Sequence, residues 1–174
     1  QLSWQLAPRW TLDAGLRYSK VRFDSRDDYI APGNGDDSGK AKYQRLLPML
    51  SLQHQINEQT QAYASLASGF ETPTFNEISY RPGGGAGLNF GLQAARSRSA
   101  EIGLRQRLQV AGINGQWSAA VFQTVTQDEI VAAENAGGRT TYHNANRTRR
   151  QGLELAASAW KSQQWRVDTA LTLL

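Results

Sequence analysis

From Trp10 the chain alternates strictly. Trp10, Leu12, Ala14, Leu16 and Tyr18 occupy the even positions, and Thr11, Asp13, Gly15, Arg17 and Ser19 the odd ones. A period of two puts the first set on one face of a strand, whereas a helix would bring Asp13 and Arg17 onto a stripe beside the leucines. The pattern recurs. Ala100, Ile102, Leu104, Leu108 and Val110 oppose Glu101, Gly103, Arg105 and Arg107; Leu153, Leu155, Ala157 and Ala159 oppose Glu154 and Ser158. Trp165, Val167, Leu171 and Leu173 oppose Arg166 and Asp168, and Leu46, Leu50, Leu52 and Ile56 oppose Gln53 and Gln55. The stretches 59–70 and 113–126 alternate less cleanly but are rich in Tyr, Val, Thr and Trp, which favour strands. The pattern predicts an all-β chain of about eight strands.

The connections predicted between these strands run Ala7 to Arg9, Asp24 to Ala41, Asn57 to Glu58, Glu71 to Arg96, Val110 to Gly112, Gln127 to Thr141, and Lys161 to Gln164. They alternate short and long. In an up-and-down meander successive connections fall at opposite ends of the sheet, so one end carries tight turns and the other large excursions, as in outer-membrane barrels. Strands of about ten to fifteen residues agree with this, since strands of soluble domains centre on about five or six. Trp10 and Tyr18 share a face and lie roughly 20 Å apart in height, close to the separation of two interfacial aromatic girdles. With the apolar face toward lipid, Asp13, Arg17, Glu101, Arg105, Arg107, Glu154, Arg166 and Asp168 line the lumen, where opposite signs can pair across strands.

Composition adds limits. The chain has 174 residues, 40% of them hydrophobic and 20% charged, with no cysteine and a formal charge of +4. This is one domain's worth of chain with too many large apolar side chains for disorder. No apolar run approaches the roughly 18 residues of a membrane helix. Gln1 stands in place of a start Met and no apolar h-region follows, which predicts a piece of a longer chain.

The segment Tyr63-Ala64-Ser65-Leu66-Ala67-Ser68-Gly69-Phe70-Glu71-Thr72-Pro73-Thr74-Phe75-Asn76-Glu77 resembles the strand and loop entry of TonB-dependent outer-membrane receptors, in which Gly69, Phe70, Pro73, Thr74, Asn76 and Glu77 are motif positions. Ser99-Ala100-Glu101-Ile102-Gly103-Leu104 resembles the family's next strand through Glu101 and Gly103. Ala119-Ala120-Val121-Phe122 with Asp128-Glu129-Ile130-Val131 follows in order. Tyr142, Asn144, Gly152 and Glu154 then match the Tyr-x-Asn…Gly-x-Glu element. The resemblance implies that residues 1–174 are part of an antiparallel transmembrane β-barrel of about 22 strands, with the plug, the TonB box and the closing strand outside this chain. It implies a Gram-negative outer-membrane location with the long loops extracellular, and active uptake of a scarce ligand rather than an enzymatic reaction. The implied partners are outer-membrane lipid, the plug and the remaining barrel, the TonB complex, and a small-molecule ligand. Siderophore receptors are the larger population, so a ferric siderophore is the expected ligand. The stretch Phe70 to Glu77, with Gly138-Arg139-Thr140-Thr141-Tyr142 and Thr148-Arg149-Arg150-Gln151-Gly152, also resembles a branch that includes the pyrroloquinoline-quinone receptor, which is the alternative. A passive porin is the further alternative. With its edges open, the segment is expected not to fold alone in water.

The candidate sites follow. Tyr29, Tyr80, Arg81, Asn89, Phe90, Arg139 and Tyr142 lie in the predicted long loops and are the types that hold an anionic, aromatic or chelated ligand by stacking and charge-assisted bonds. Pro73, Thr74, Asn76 and Glu77 read as shaping the strand-to-loop turn. The run Gly83-Gly84-Gly85-Ala86-Gly87 lacks the Gly-Lys-Ser/Thr of a phosphate loop and reads as a flexible loop. His54 and His143 have no metal-ligand spacing, so no metal or cofactor is expected. Arg96 and Arg98, with Arg147, Arg149 and Arg150, lack interleaved aromatics for stacking bases and read as rim residues facing lipid phosphates or an anionic ligand rather than nucleic acid. No Ser-His-Asp arrangement is present.

Overall fold

The structure, a computed structural model, describes residues 1–32, 35–85, 87–136 and 138–174. Ala86 of the glycine-rich run therefore lies outside the described residues, as do positions 33, 34 and 137 of the predicted connections. Eight strands form one antiparallel sheet in sequence order: β1 (Leu2–Ala7), β2 (Trp10–Ser25), β3 (Gly39–Gln55), β4 (Thr60–Glu71), β5 (Ala95–Val110), β6 (Ile113–Ala136), β7 (Arg139–Lys161) and β8 (Trp165–Leu173).

The register carries the alternation of the sequence across every strand. Leu12 pairs with Leu52, Leu52 with Ala64, Ala64 with Ile102, Ile102 with Val121, Val121 with Leu153 and Leu153 with Leu173. Directly paired residues share a face, so these six pairings trace one continuous apolar face. Its side chains are exposed here: Leu16, Ile102, Val121 and Val167 are each more than half accessible. Near the short turns this face carries Trp4, Trp10, Trp117 and Trp165, with the Trp10 ring stacked on His54 at 4.2 Å. Asp13, Arg17, Glu101, Arg105, Arg107, Glu154, Arg166 and Asp168 all fall on the opposite, polar face.

The turns are tight where the sequence predicts. Ala111 and Gly112 connect β5 to β6 with φ of 51° and 77°, as a two-residue hairpin requires of both central positions. The opposite end differs from expectation at one connection. Gln127 to Thr141 is not a loop: β6 and β7 continue as a paired ribbon as far as Ala136↔Arg139, so Arg139 and Tyr142 are strand residues. Their backbone groups are satisfied by the partner strand, and Ile130, Val131, Thr140, Thr141 and Tyr142 are good strand formers.

β3 and β4 part on the loop side. Their last pair is Met49↔Ala67, after which β3 pairs only with β2 and β4 only with β5. Pro48 occupies the first β3 position beyond that pair. A proline has no N–H for the ladder and is tolerated in a strand where pairing stops.

Candidate functional site

The β4–β5 connection is a folded unit rather than an open excursion. Thr74 caps the single-turn helix α1 (Phe75–Ile78), and Glu77 closes a capping box by accepting from the Thr74 N–H at 2.7 Å and hydroxyl at 2.9 Å. The Thr-x-x-Glu spacing is the sequence signal for this cap, which satisfies two otherwise orphan donors. Beyond it Ile78, Leu88 and Leu92 are buried, together with Pro73. Apolar residues inside a loop stretch were the signal that this segment has a core of its own.

The unit docks on the loop-side parts of β3 and β7. The Tyr43 hydroxyl on β3 donates to the Leu92 carbonyl at 2.9 Å, and burial pushes this phenol above its ordinary pKa. Phe90 occupies the space that a side chain at Gly39 would need. On β7, Asn144 exchanges two bonds with Gln93, accepting from its N–H at 2.8 Å and donating to its carbonyl at 2.9 Å. The Asn144 amide also donates to the Asp128 carbonyl at 2.7 Å, and Asn89 donates to the Tyr142 carbonyl at 3.3 Å. Tyr43 lies on the polar face, paired with Val21 and edge-to-face with Phe23, so the loop covers that face at its loop-side end.

This arrangement gathers six of the seven loop candidates. Arg139 on β7 places its guanidinium 5.2 Å from the centre of the Tyr80 ring, and both side chains are exposed. Arg81 donates to the Leu88 carbonyl at 3.1 Å. Asn89, Phe90 and Arg81 therefore hold the loop together, while Tyr80 and Arg139 present a ring and a cation outward. Tyr29 belongs to the β2–β3 connection and is 73% exposed, with its N–H bonded to Asp27.

Next to the docked loop, β6 departs from regular backbone at Asp128, whose φ is 57°. The two consecutive carboxylates diverge there. Asp128 pairs with Arg96, and Glu129 accepts from Thr148 and pairs with Arg150. The Arg150 guanidinium, with help from the Thr148 hydroxyl, holds the Glu129 carboxyl below the usual range.

The charges of the polar face are bonded to neutral partners more than to each other. Tyr63 donates to Glu101 at 2.5 Å under the Arg105 guanidinium, 4.3 Å from the ring centre. Gln53 donates to Asp13 at 2.5 Å and accepts from Gln61 at 3.0 Å. Arg166 pairs with Asp168 within one strand at 2.8 Å, and Ser158 reaches the same carboxylate from β7. Among the described residues Arg17, Arg107 and Glu154 make no ion pair, and their paired positions are Leu47, Gln116 and Ala120 with Thr172. Among the described residues no group of three His, Asp or Glu side chains is placed to hold a metal ion.

The model of a family described as TonB dependent receptor-like, beta-barrel, matches residues 1–174. The vitamin B12 transporter BtuB of Vibrio vulnificus (strain YJ016) is 26% identical over 183 residues, covering 88% of this chain and 28% of the transporter. Among solved structures the copper transporter OprC aligns with a TM-score of 0.71 at 20% identity, over 98% of this chain and 27% of that one. The siderophore receptor PirA from Pseudomonas aeruginosa aligns with a TM-score of 0.62 at 20% identity, over 98% and 29%. The chain thus spans less than a third of the length of each of these three relatives. These likenesses share one sheet architecture, and the match over the whole chain places it in the TonB-dependent receptor β-barrel family, whose barrels belong to the outer membrane.

Proposed function

We propose that the protein containing this chain is an outer-membrane receptor that imports a ferric siderophore with energy delivered by the TonB complex. In this reading the apolar face meets lipid and the polar face lines the lumen, so that Asp13, Arg17, Glu101, Arg105, Arg107, Glu154, Arg166 and Asp168 face the interior and the plug. The observation that carries it is the β4–β5 unit folded over the polar face, with Tyr80 and Arg139 exposed beside it. A cation beside an aromatic ring suits an anionic, aromatic chelate such as a siderophore, through stacking and charge-assisted bonds. A siderophore receptor among its structural neighbours supports the same reading.

The test is uptake by cells carrying the full-length receptor, with and without TonB, supplied in turn with ferric siderophores, pyrroloquinoline quinone and vitamin B12. Accumulation of a ferric siderophore that requires TonB supports the reading. TonB-dependent uptake of one of the other two alone replaces the ligand but keeps the mechanism. Uptake that persists without TonB points to a passive pore and overturns both.

A further inference from the structure

The apolar face ends in a belt of cations on the loop side. Continuing along the same face past Tyr18 come Lys20 and Arg22 on β2, with Lys42 paired to Arg22 and Lys40 paired to Asp24 on β3. Past Ala100 on β5 come Arg98 and Arg96, and past Leu153 on β7 come Arg149 and Arg147. Pairing through Val125 and Gln127 of β6 sets these four arginines at two adjacent levels: Arg98↔Val125↔Arg149 and Arg96↔Gln127↔Arg147. Adjacent strands are about 4.8 Å apart, so the two members of each level lie roughly 10 Å from one another. Asp128 neutralises Arg96, and Asp24 holds Arg22 and Lys40. Among the described residues Lys20, Lys42, Arg98, Arg147 and Arg149 make no ion pair and all are exposed.

The parting of β3 from β4 adds a shape to this charge. It leaves a groove of about 840 Å³ whose lining includes Leu46, Pro48 and Leu66 from the apolar face and Arg96, Arg98 and Arg147 from the belt. Apolar and guanidinium surface adjoin within it, with Gln44, Ser68 and Gln127 between them.

We propose that this groove and the arginine belt bind a phosphate-bearing lipid of the outer leaflet, with Arg98, Arg147 and Arg149 neutralising headgroup phosphate and Leu46, Pro48 and Leu66 receiving acyl chain. The inference rests on the apolar face meeting lipid, as in the proposed function, but not on which ligand is imported. Charge complementarity favours a lipid over a soluble anion because the cations are continuous with the apolar face and lie on the side opposite Glu101, Arg105 and the docked loop. Arginine also matches phosphate in two-pronged geometry, which a row of lysines would not.

The experiment titrates the full-length receptor, purified in detergent, with bisphosphorylated lipid A and with its dephosphorylated form, and counts bound copies by native mass spectrometry. The double variant Arg98→Gln/Arg149→Gln is expected to weaken binding of the phosphorylated lipid roughly tenfold or more. Lys161→Gln, at the opposite rim, is expected to leave it unchanged, and the dephosphorylated lipid to bind wild type as weakly as the phosphorylated lipid binds the double variant. Should the double variant lose its heat-resistant folded form, Arg147→Gln and the charge-keeping Arg98→Lys/Arg149→Lys take its place, both expected to weaken binding, the second because lysine keeps the charge but not the two-pronged contact. Equal affinity for both lipids, indifference to the arginine variants, or displacement by millimolar inorganic phosphate would overturn the proposal. TonB-dependent uptake measured on the same variants separates the two readings: lost lipid binding with intact uptake supports this one, and uptake without TonB strikes the transport reading alone.

Discussion

The hydroxyl of Tyr43 and the carbonyl of Leu92, 49 residues apart in the chain, are joined by a 2.9 Å hydrogen bond that fastens the β4–β5 unit to the third strand. Leu92 is 3% exposed, so water does not replace a lost donor there. Tyr43→Phe is therefore expected to cost about 1–3 kcal/mol, the usual penalty for a buried unpaired polar group, and to act on the docked loop rather than on the barrel. Limited proteolysis of the full-length receptor checks it: cleavage within 79–92 should accelerate while the heat-resistant folded form persists. Unchanged cleavage would mean that the Phe90 and Asn144 contacts alone hold the loop.

Gly103 leaves room for the Tyr63 ring, since a Cβ there would stand 2.5 Å from three of its atoms. Gly103→Val must push the ring aside, breaking the Tyr63–Glu101 bond and the Arg105 stacking together. Overpacking of this kind costs about 1–3 kcal/mol. Because the clash is pairwise, Tyr63→Ala should relieve most of it, so thermal melting of the two single variants and the double variant should be non-additive. An additive result would place the damage in the backbone of β5 instead.

The Glu129–Arg150 pair predicts an acid-sensitive hairpin. The folded pKa of Glu129 is lowered, so its contribution is present above the unfolded value of about 4.3 and is lost as pH falls through the folded value below it. Hydrogen exchange in the β6–β7 ribbon beyond Gln127, corrected for intrinsic rates, should show protection dropping between about pH 5 and pH 3. Glu129→Gln should remove that step. A variant with the same acid step would remove Glu129 as its cause.

Period-two alternation made the strands, their order and the two faces legible, because a residue's face follows parity, which the strands keep through the paired band and lose at Gln5/Ala7, Asp128 and Ala132/Glu134. The docked loop was legible only in fragments. Thr74 and Glu77 carry a capping-box spacing, yet the burial of Ile78, Leu88 and Leu92 depends on Tyr43 and Asn144, which lie far away in sequence. The ribbon at Gln127 to Thr141 was hidden for another reason: Glu134, Asn135 and Gly138 read as loop, and pairing with the neighbouring strand overrides that local preference. The ion pairs of Asp128 and Glu129 depend on the positive φ at Asp128, a backbone reversal that no side-chain pattern encodes.

Tyr80 and Arg139 give the ligand proposal its sharpest consequence. Their 5.2 Å approach joins the loop to the tip of β7, and both remain exposed, so neither is needed for the core. An exposed cation–π contact is worth about 0.5–1 kcal/mol, so Arg139→Gln should barely alter melting. Loss of a charge-assisted bond to an anionic chelate costs more, about 1.5–3 kcal/mol, or roughly a tenfold or greater fall in affinity. Added salt should also weaken wild-type binding more than that of the variant, because the screened charge is gone. Titration of the full-length receptor with a ferric siderophore at low and high ionic strength measures both effects. An Arg139→Gln receptor with wild-type affinity and wild-type salt dependence would remove this pair from the ligand site and leave it as a clasp between loop and ribbon.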